Sequence, residues 1–460
     1  MLFNSYPFLL AFLPVSLFAC GLVDRFARLR IPLLVLLSLV FYGWWNAHLL
    51  PLLIGSVVAN WLSAWAFTRW RRPGIIASIV VADLVLLGVC KYANFALGNA
   101  AALSGLPFTP LEITLPLGIS FFTFHHIMYM VDLGRGKAPL APFERYALYI
   151  CFFPQAVAGP LARWSEVGQQ FGRRMLSPGW ERRWAMGIIF IVIGLIEKIG
   201  LGDPIGTLLD PIYAAAANGP VADGSAWLAP VFALQIFFDF SGYSDVAVGL
   251  ALLLDVQLPY NFNAPFQARN ILEFWTRWHM TLSRFLRDYV FLKLADMRVA
   301  GKRHSVWQYC FAILATMALC GLWHGAGWNF ILWGTLQGLA MIFTLGWRRF
   351  VGSPPRVIGW TATVLFFALT AVIFRTGTLE AAWNIYAGFG VPPAPKLLSK
   401  SWPIAIALGI ALFLPATQDV VRRLSERPWP AVPVVLGLAV VGLLVQLGGT
   451  ESYDFIYFHF

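Results

Sequence analysis

The sequence predicts an all-α, polytopic membrane protein, and three observations carry that prediction. Of the 460 residues, 59% are hydrophobic and only 12% are charged, about half the charge of an ordinary soluble domain. Apolar runs close to the roughly 20 residues needed to cross a bilayer recur along the whole length. Between those runs Arg and Lys collect in clusters, as they do in cytoplasmic loops. The alternating pattern of a membrane β-barrel is absent. Neither tandem repeats nor low-complexity stretches are visible, so one integral membrane domain over residues 1–460 is the simplest organisation.

In chain order the apolar runs are Tyr6–Val23, Ile31–Leu50, Leu52–Phe67, Ile75–Leu97, Leu115–Val131, a shorter Tyr146–Val157 and Trp184–Leu201. The second half adds Trp227–Leu254, Val306–Leu322, Trp328–Leu345, Val357–Phe374, Ile404–Leu414 and Val432–Leu447. These predict about eleven transmembrane helices together with re-entrant or interfacial ones. The first run lacks a basic leader and continues into more membrane sequence, so it reads as a span and not as a cleavable signal.

The basic clusters are Arg25/Arg28/Arg30, Arg69/Arg71/Arg72, Arg135/Lys137, Arg163 through Arg183, Arg269 through Arg303, Arg348/Arg349 and Arg422/Arg423/Arg427. The connections 98–110 and 202–226 carry no Arg or Lys. The positive-inside rule then places the clusters in the cytoplasm and the N-terminus outside. The spans alternate sensibly only if Tyr146–Val157 dips in and returns. The Pro and Gly residues of Phe153-Pro-Gln-Ala-Val-Ala-Gly-Pro160 favour that, and broken backbone at such depth must be buried in protein or line a cavity. The net charge of +11, from 33 basic and 22 acidic residues, is accounted for by this basic face, so nucleic acid is not expected as a partner.

Residues 269–303 are too charged to span. Phe274, Trp275, Trp278, Leu282, Phe285, Leu286 and Tyr289 recur at helical spacing with Arg277, Arg284 and Arg287 between them. That pattern predicts an amphipathic helix at the cytoplasmic interface, with Asn270 or Thr276 as candidate caps.

Two histidines directly follow tryptophans: His279 and His324. His324 lies between apolar runs, among Gly321, Gly325 and Gly327, with Trp323 and Trp328 beside it. No acidic residue occurs between Arg303 and Glu380. A neutral imidazole in a partly dry site is what a general base requires; the plainer alternative is a histidine bonded to a neighbouring helix carbonyl. For His279 the plainer alternative is an interfacial residue. Asp239-Phe-Ser-Gly-Tyr-Ser-Asp245 places two carboxylates and Tyr243 inside a span, where charge is costly; substrate contact and helix gluing both explain it. Asp83, Lys91, Glu112, His125, His126, Glu197, Lys198 and Gln235 are further polar residues in apolar runs. The five cysteines sit in apolar surroundings without ligand spacing, and no metal site is expected. No hydrolase elbow, Walker loop or dinucleotide fingerprint is present.

At these residues the chain resembles the membrane-bound O-acyltransferase family, in its bacterial alginate O-acetylation branch. The resemblance is carried by Phe153–Pro160, Asp239–Asp245, Asn261-Phe-Asn-Ala-Pro265, Glu273-Phe-Trp-Thr-Arg-Trp-His-Met-Thr-Leu-Ser283, Leu286-Arg-Asp-Tyr289, Gly321-Leu-Trp-His-Gly-Ala326 and the closing 455–460. The teichoic acid D-alanyl transfer proteins of the same family share the paired Trp-His. The chain departs from the alginate pattern at Val290-Phe-Leu-Lys-Leu294, which leaves the acceptor open. The resemblance implies helices around a central funnel, His324 as the essential histidine and His279 at the second family position. It also implies a thioester donor, acetyl-coenzyme A or an acyl carrier protein, with no bound cofactor. The partners it implies are a separate periplasmic acyltransferase, a polysaccharide acceptor and the membrane lipids. On this reading Trp278, Trp323, Gly321, Gly325, Asp245, Tyr243, Gln155 and Pro154 line the substrate path, and Arg277, Arg284 and Arg287 meet the donor. A polysaccharide or lipid transporter without acyl chemistry is the alternative of another class, and a scaffold for a periplasmic enzyme is a third.

Overall fold

The computed structural model describes residues 1–296, 305–393, 401–426, 431–449 and 455–456. Arg303, Arg427 and most of the closing 455–460 motif therefore lie outside the described residues. Those that are described form helices and connections, with no strand. Among the described residues, eight helices are long and apolar enough to cross a membrane, or nine if the pair Trp402–Phe413 and Thr417–Glu426, bent by 74°, counts as one span. The protein is a multi-pass membrane protein.

Several expected runs change their bounds for physical reasons. Trp184–Leu201 becomes a longer helix, Trp180–Ala216, which continues through a π-helical turn at Ile196–Gly202. Leu115–Val131 becomes the 16-residue helix Ile119–Gly134, almost wholly buried. Tyr146–Val157 is helical only as far as Cys151, after which residues 152–162 follow an irregular and fully buried path. That is the condition under which broken backbone survives in such a protein.

The amphipathic helix expected from Phe274 to Tyr289 is not continuous. It consists of Ile271–Trp275 and Met280–Phe285, followed by a π-helical turn at Leu286–Phe291, with a break at residues 276–279. The break is set by His279, whose φ of 41° and ψ of 53° lie in the left-handed region. Spacing alone could not show it, because the apolar side chains on both sides of the break remain buried. Of the two candidate caps, Asn270 is the one used. Its side chain accepts from the Glu273 N–H (3.0 Å), and Glu273 accepts from the Arg269 N–H (2.9 Å).

The chain divides into two compact units, residues 1–194, 243–260 and 421–454 in the first, and residues 195–242, 261–420 and 455–460 in the second. In the first unit Arg30 is 2% exposed and meets the carbonyls of Phe171 (3.3 Å) and Leu254 (2.5 Å) as well as the Asp24 carboxylate (3.4 Å). His126 lies 2.6 Å from the Tyr146 hydroxyl and 3.3 Å from that of Ser56, and His125 bonds the Phe121 carbonyl. These two histidines show the helix-gluing use of a buried imidazole.

In the second unit, Val306–His324 and Trp328–Phe350 form a tight helical hairpin. A Cβ at Gly321 would collide with the Phe330 carbonyl, and one at Gly334 with the Met317 carbonyl. Small residues let the two backbones touch, which is how helices associate where lipid removes the hydrophobic drive. Arg356–Arg375 packs on the hairpin. Asn329 donates to the carbonyls of Thr376 (2.6 Å) and Ile373 (3.3 Å), and Gln337 donates to Thr370 (2.9 Å).

Candidate active site

Within the second unit the hairpin and the broken segment bring both Trp-His pairs into one aromatic cluster. His324 is the last residue of its helix and 4% exposed. Its ring lies 4.7 Å from Trp323, 5.5 Å from Trp333 and 5.1 Å from Phe374, centroid to centroid. Trp323 reaches the other way as well, 6.2 Å from His279. His279, 1% exposed, also stands edge-on to Phe240 at 4.6 Å. An interfacial position for His279 is thereby replaced by a buried one.

The hydrogen bonds of His279 fix its chemistry. Thr281 donates its hydroxyl to Asn261 Oδ1 (2.6 Å), and the same oxygen faces His279 Nδ1 at 3.3 Å. A carbonyl oxygen only accepts, so Nδ1 carries the hydrogen. Burial pushes the imidazole pKa down to about 3, which keeps the ring neutral and leaves the lone pair on Nε2. That nitrogen has no hydrogen-bond partner among the described residues. Backbone bonds hold the loop around it, from Asn263 N–H to Arg277 O (2.9 Å) and from Met280 N–H to Asn261 O (2.8 Å).

A cavity lined by His324, Trp278, Trp333, Phe232, Phe367 and Phe374, with Ile236 and Ala371, lies beside this cluster. Its volume of about 10 Å³ is that of a single water, so an acyl thioester enters only if a ring moves. Gly321 and Gly325 are not among the lining residues. Both are needed for packing against Phe330, whose ring a Cβ at Gly325 would strike.

Tyr243, Asp245, Gln155 and Pro154 belong to the first unit. There Gln155 donates to the Tyr149 carbonyl (2.8 Å), and Tyr243 stacks on Phe3 (4.7 Å) and bonds the Ala158 backbone. Asp239, at the other end of their motif, pairs with Lys198, which also holds Asp203 at 2.7 Å. Ser241 donates to Glu197 at 2.5 Å. This part of the motif ties helices together within the second unit. Of the three arginines, Arg277 is engaged with Glu273 (2.7 Å) and Arg287 with Asp288 (2.7 Å), while Arg284 is half-buried. Burial raises the Glu273 pKa less than the Arg269 N–H and the Arg277 guanidinium lower it, so the carboxylate stays ionised. Nothing in the sequence marks Trp333 or Phe374, and Asn261 and Thr281 stand out only as parts of motifs.

Comparisons with known proteins agree on the family. The family described as MBOAT, membrane-bound O-acyltransferase, matches residues 113–377. A peptidoglycan O-acetyltransferase of Helicobacter pylori is 34% identical over 428 residues, covering 84% of this chain and 79% of its own length. A probable alginate O-acetylase of Pseudomonas aeruginosa is 38% identical over 403 residues, covering 84% and 74%. A teichoic acid D-alanyltransferase of Lacticaseibacillus rhamnosus is 28% identical over 315 residues, covering 65% and 75%. The chain belongs to the membrane-bound O-acyltransferase family and is an O-acyltransferase.

Proposed function

We propose that this enzyme transfers an acyl group, acetyl, from a cytoplasmic thioester to a hydroxyl destined for an extracellular or periplasmic polysaccharide. The observation that carries the site assignment is the convergence of the two Trp-His pairs, with Trp323 packed against both imidazoles. His324 acts as general base. It takes the proton of the acceptor hydroxyl as that oxygen attacks the thioester carbonyl. The tetrahedral intermediate then expels the thiolate, which receives the proton and leaves as thiol. His279 keeps an acceptor lone pair on Nε2, and an acceptor suits holding an N–H of the donor's pantetheine arm better than stabilising an oxyanion. Trp278 and Trp323 wall the site, and Gly321 and Gly325 set the helix pair that presents His324.

The same reading has about eleven crossings of a bacterial inner membrane around a central funnel, with the N-terminus periplasmic and the donor approaching Arg277, Arg284 and Arg287. Acetyl is favoured because relatives named for O-acetyl transfer are 33–38% identical to this chain, whereas relatives named for D-alanyl transfer are 28% identical. A separate periplasmic acyltransferase completes delivery to the polymer. Purified enzyme in nanodiscs, offered acetyl-coenzyme A or a D-alanyl carrier protein together with the periplasmic acyltransferase and an acceptor glycan, separates these donors. Ester formed from acetyl-coenzyme A supports the reading. Turnover of the D-alanyl carrier alone replaces it with D-alanyl transfer, and an intact thioester in both arms contradicts acyl transfer from these donors.

A further inference from the structure

The second unit contains another, much larger concavity: a groove of about 960 Å³ among the end of Trp328–Phe350, the start of Arg356–Arg375 and residues 269–276. That volume is at the upper end of the range of about 300–1,000 Å³ for small-molecule sites. Three arginines from three segments line it: Arg269, Arg348 and Arg356. Neither Arg348 nor Arg356 makes an ion pair or side-chain hydrogen bond among the described residues. The carboxylate in the groove, Glu273, is already engaged by Arg277 and by the Arg269 N–H. The rest of the lining includes Phe343, Trp347, Ile358 and Phe366, of which Phe343 is 65% exposed and Ile358 59%. Its floor is fixed, since Gly359 packs on the Arg269 carbonyl and Trp360 donates to the Phe266 carbonyl at 2.7 Å.

We infer that this groove binds one anionic glycerophospholipid, its phosphate between Arg348 and Arg356 and an acyl chain along Phe343, Trp347, Ile358 and Phe366. Exposed apolar faces of spanning helices are surfaces for hydrocarbon, and arginines at the ends of the same helices meet headgroups of the cytoplasmic leaflet. A coenzyme A donor fits less well, because its pantetheine amides would lie against apolar side chains. The groove is also walled off from His324. Phe274, Trp278 and Phe367 pack together at 4.4–5.5 Å between centroids, and Trp278 and Phe367 also line the His324 cavity.

Native mass spectrometry of the detergent-purified protein, titrated with phosphatidylglycerol and with phosphatidylcholine, tests this. Phosphatidylglycerol is expected to bind more tightly. Arg348→Gln with Arg356→Gln should weaken it at least about tenfold, at roughly 1 kcal/mol per basic residue. Arg349→Gln, a neighbouring arginine that does not line the groove, should leave binding unchanged. Ala362→Trp, which fills the groove with every arginine in place, should also displace the lipid. Equal loss in Arg349→Gln would show general attraction to a basic face and overturn the site. So would unchanged binding in both groove variants, or displacement of phosphatidylglycerol by inorganic phosphate or by acetyl-coenzyme A at equal concentration.

Discussion

His324 ends a 19-residue helix and is placed by close packing: Gly321 and Gly334 let two helices meet at their backbones, Gly325 makes room for the Phe330 ring, and the imidazole falls at the short turn that joins the pair. His279 sits in a break between two helices of five and six residues, in a left-handed conformation held by Asn261, Thr281 and loop hydrogen bonds. One histidine is thus set by packing and the other by a polar network. Substitutions should separate the two regions accordingly, since overpacking is costly near His324, whereas changes of charge and hydrogen bonding matter near His279.

The largest effect expected is on catalysis. Loss of the general base at His324 costs about 10²–10⁴-fold in rate, and His279→Ala costs less if it positions the donor. If the two act in one site, the double variant should be little slower than His324→Ala alone, because residues that act as a unit are not additive. Losses that multiply would place the histidines in separate events. Next is Gly321→Val, whose side chain must displace the Phe330 carbonyl. It should lower stability by about 1–3 kcal/mol or more, visible as a lower unfolding temperature in detergent, with no change of pH profile. An unaltered melting temperature would remove the close-packing account of the hairpin.

Asn261→Asp sharpens the contrast from the other side. A carboxylate beside Nδ1 favours the imidazolium, so the pKa of His279 rises from about 3 towards its ordinary value. Protonation consumes the Nε2 lone pair, so the acid limb of the rate profile should move to higher pH, with activity regained on the alkaline side. A profile that falls equally at every pH would mean that Asn261 only supports the fold. Smallest is Asn270→Ala, which removes the cap of Ile271–Trp275 at about 1 kcal/mol and should shift thermal unfolding slightly with transfer intact.

The hairpin was legible in the sequence because its information is compositional: two apolar runs, three glycines and a histidine where no acid is near. The broken segment was legible only in part. Apolar residues from Phe274 to Tyr289 keep helical spacing across a break of four residues, and no residue type marks His279 as left-handed in the way a glycine would. Its partner Asn261 lies 18 residues away, so the contact that sets its tautomer is a tertiary fact. The run ending at Leu201 fell short because the π-helical turn at Ile196–Gly202 carries the helix on, through Asp203 and Pro204, to Ala216. The irregular path after Cys151 was visible in advance because Pro and Gly announce it.

Transfer by purified His324→Ala tests the central claim most directly, with the released thiol and the ester on the acceptor glycan measured together against wild type. The expected result is a folded, monodisperse protein in which both products form about 10²–10⁴-fold more slowly. Wild-type rates of both products in that variant would contradict the claim that acyl transfer occurs at the paired Trp-His cluster.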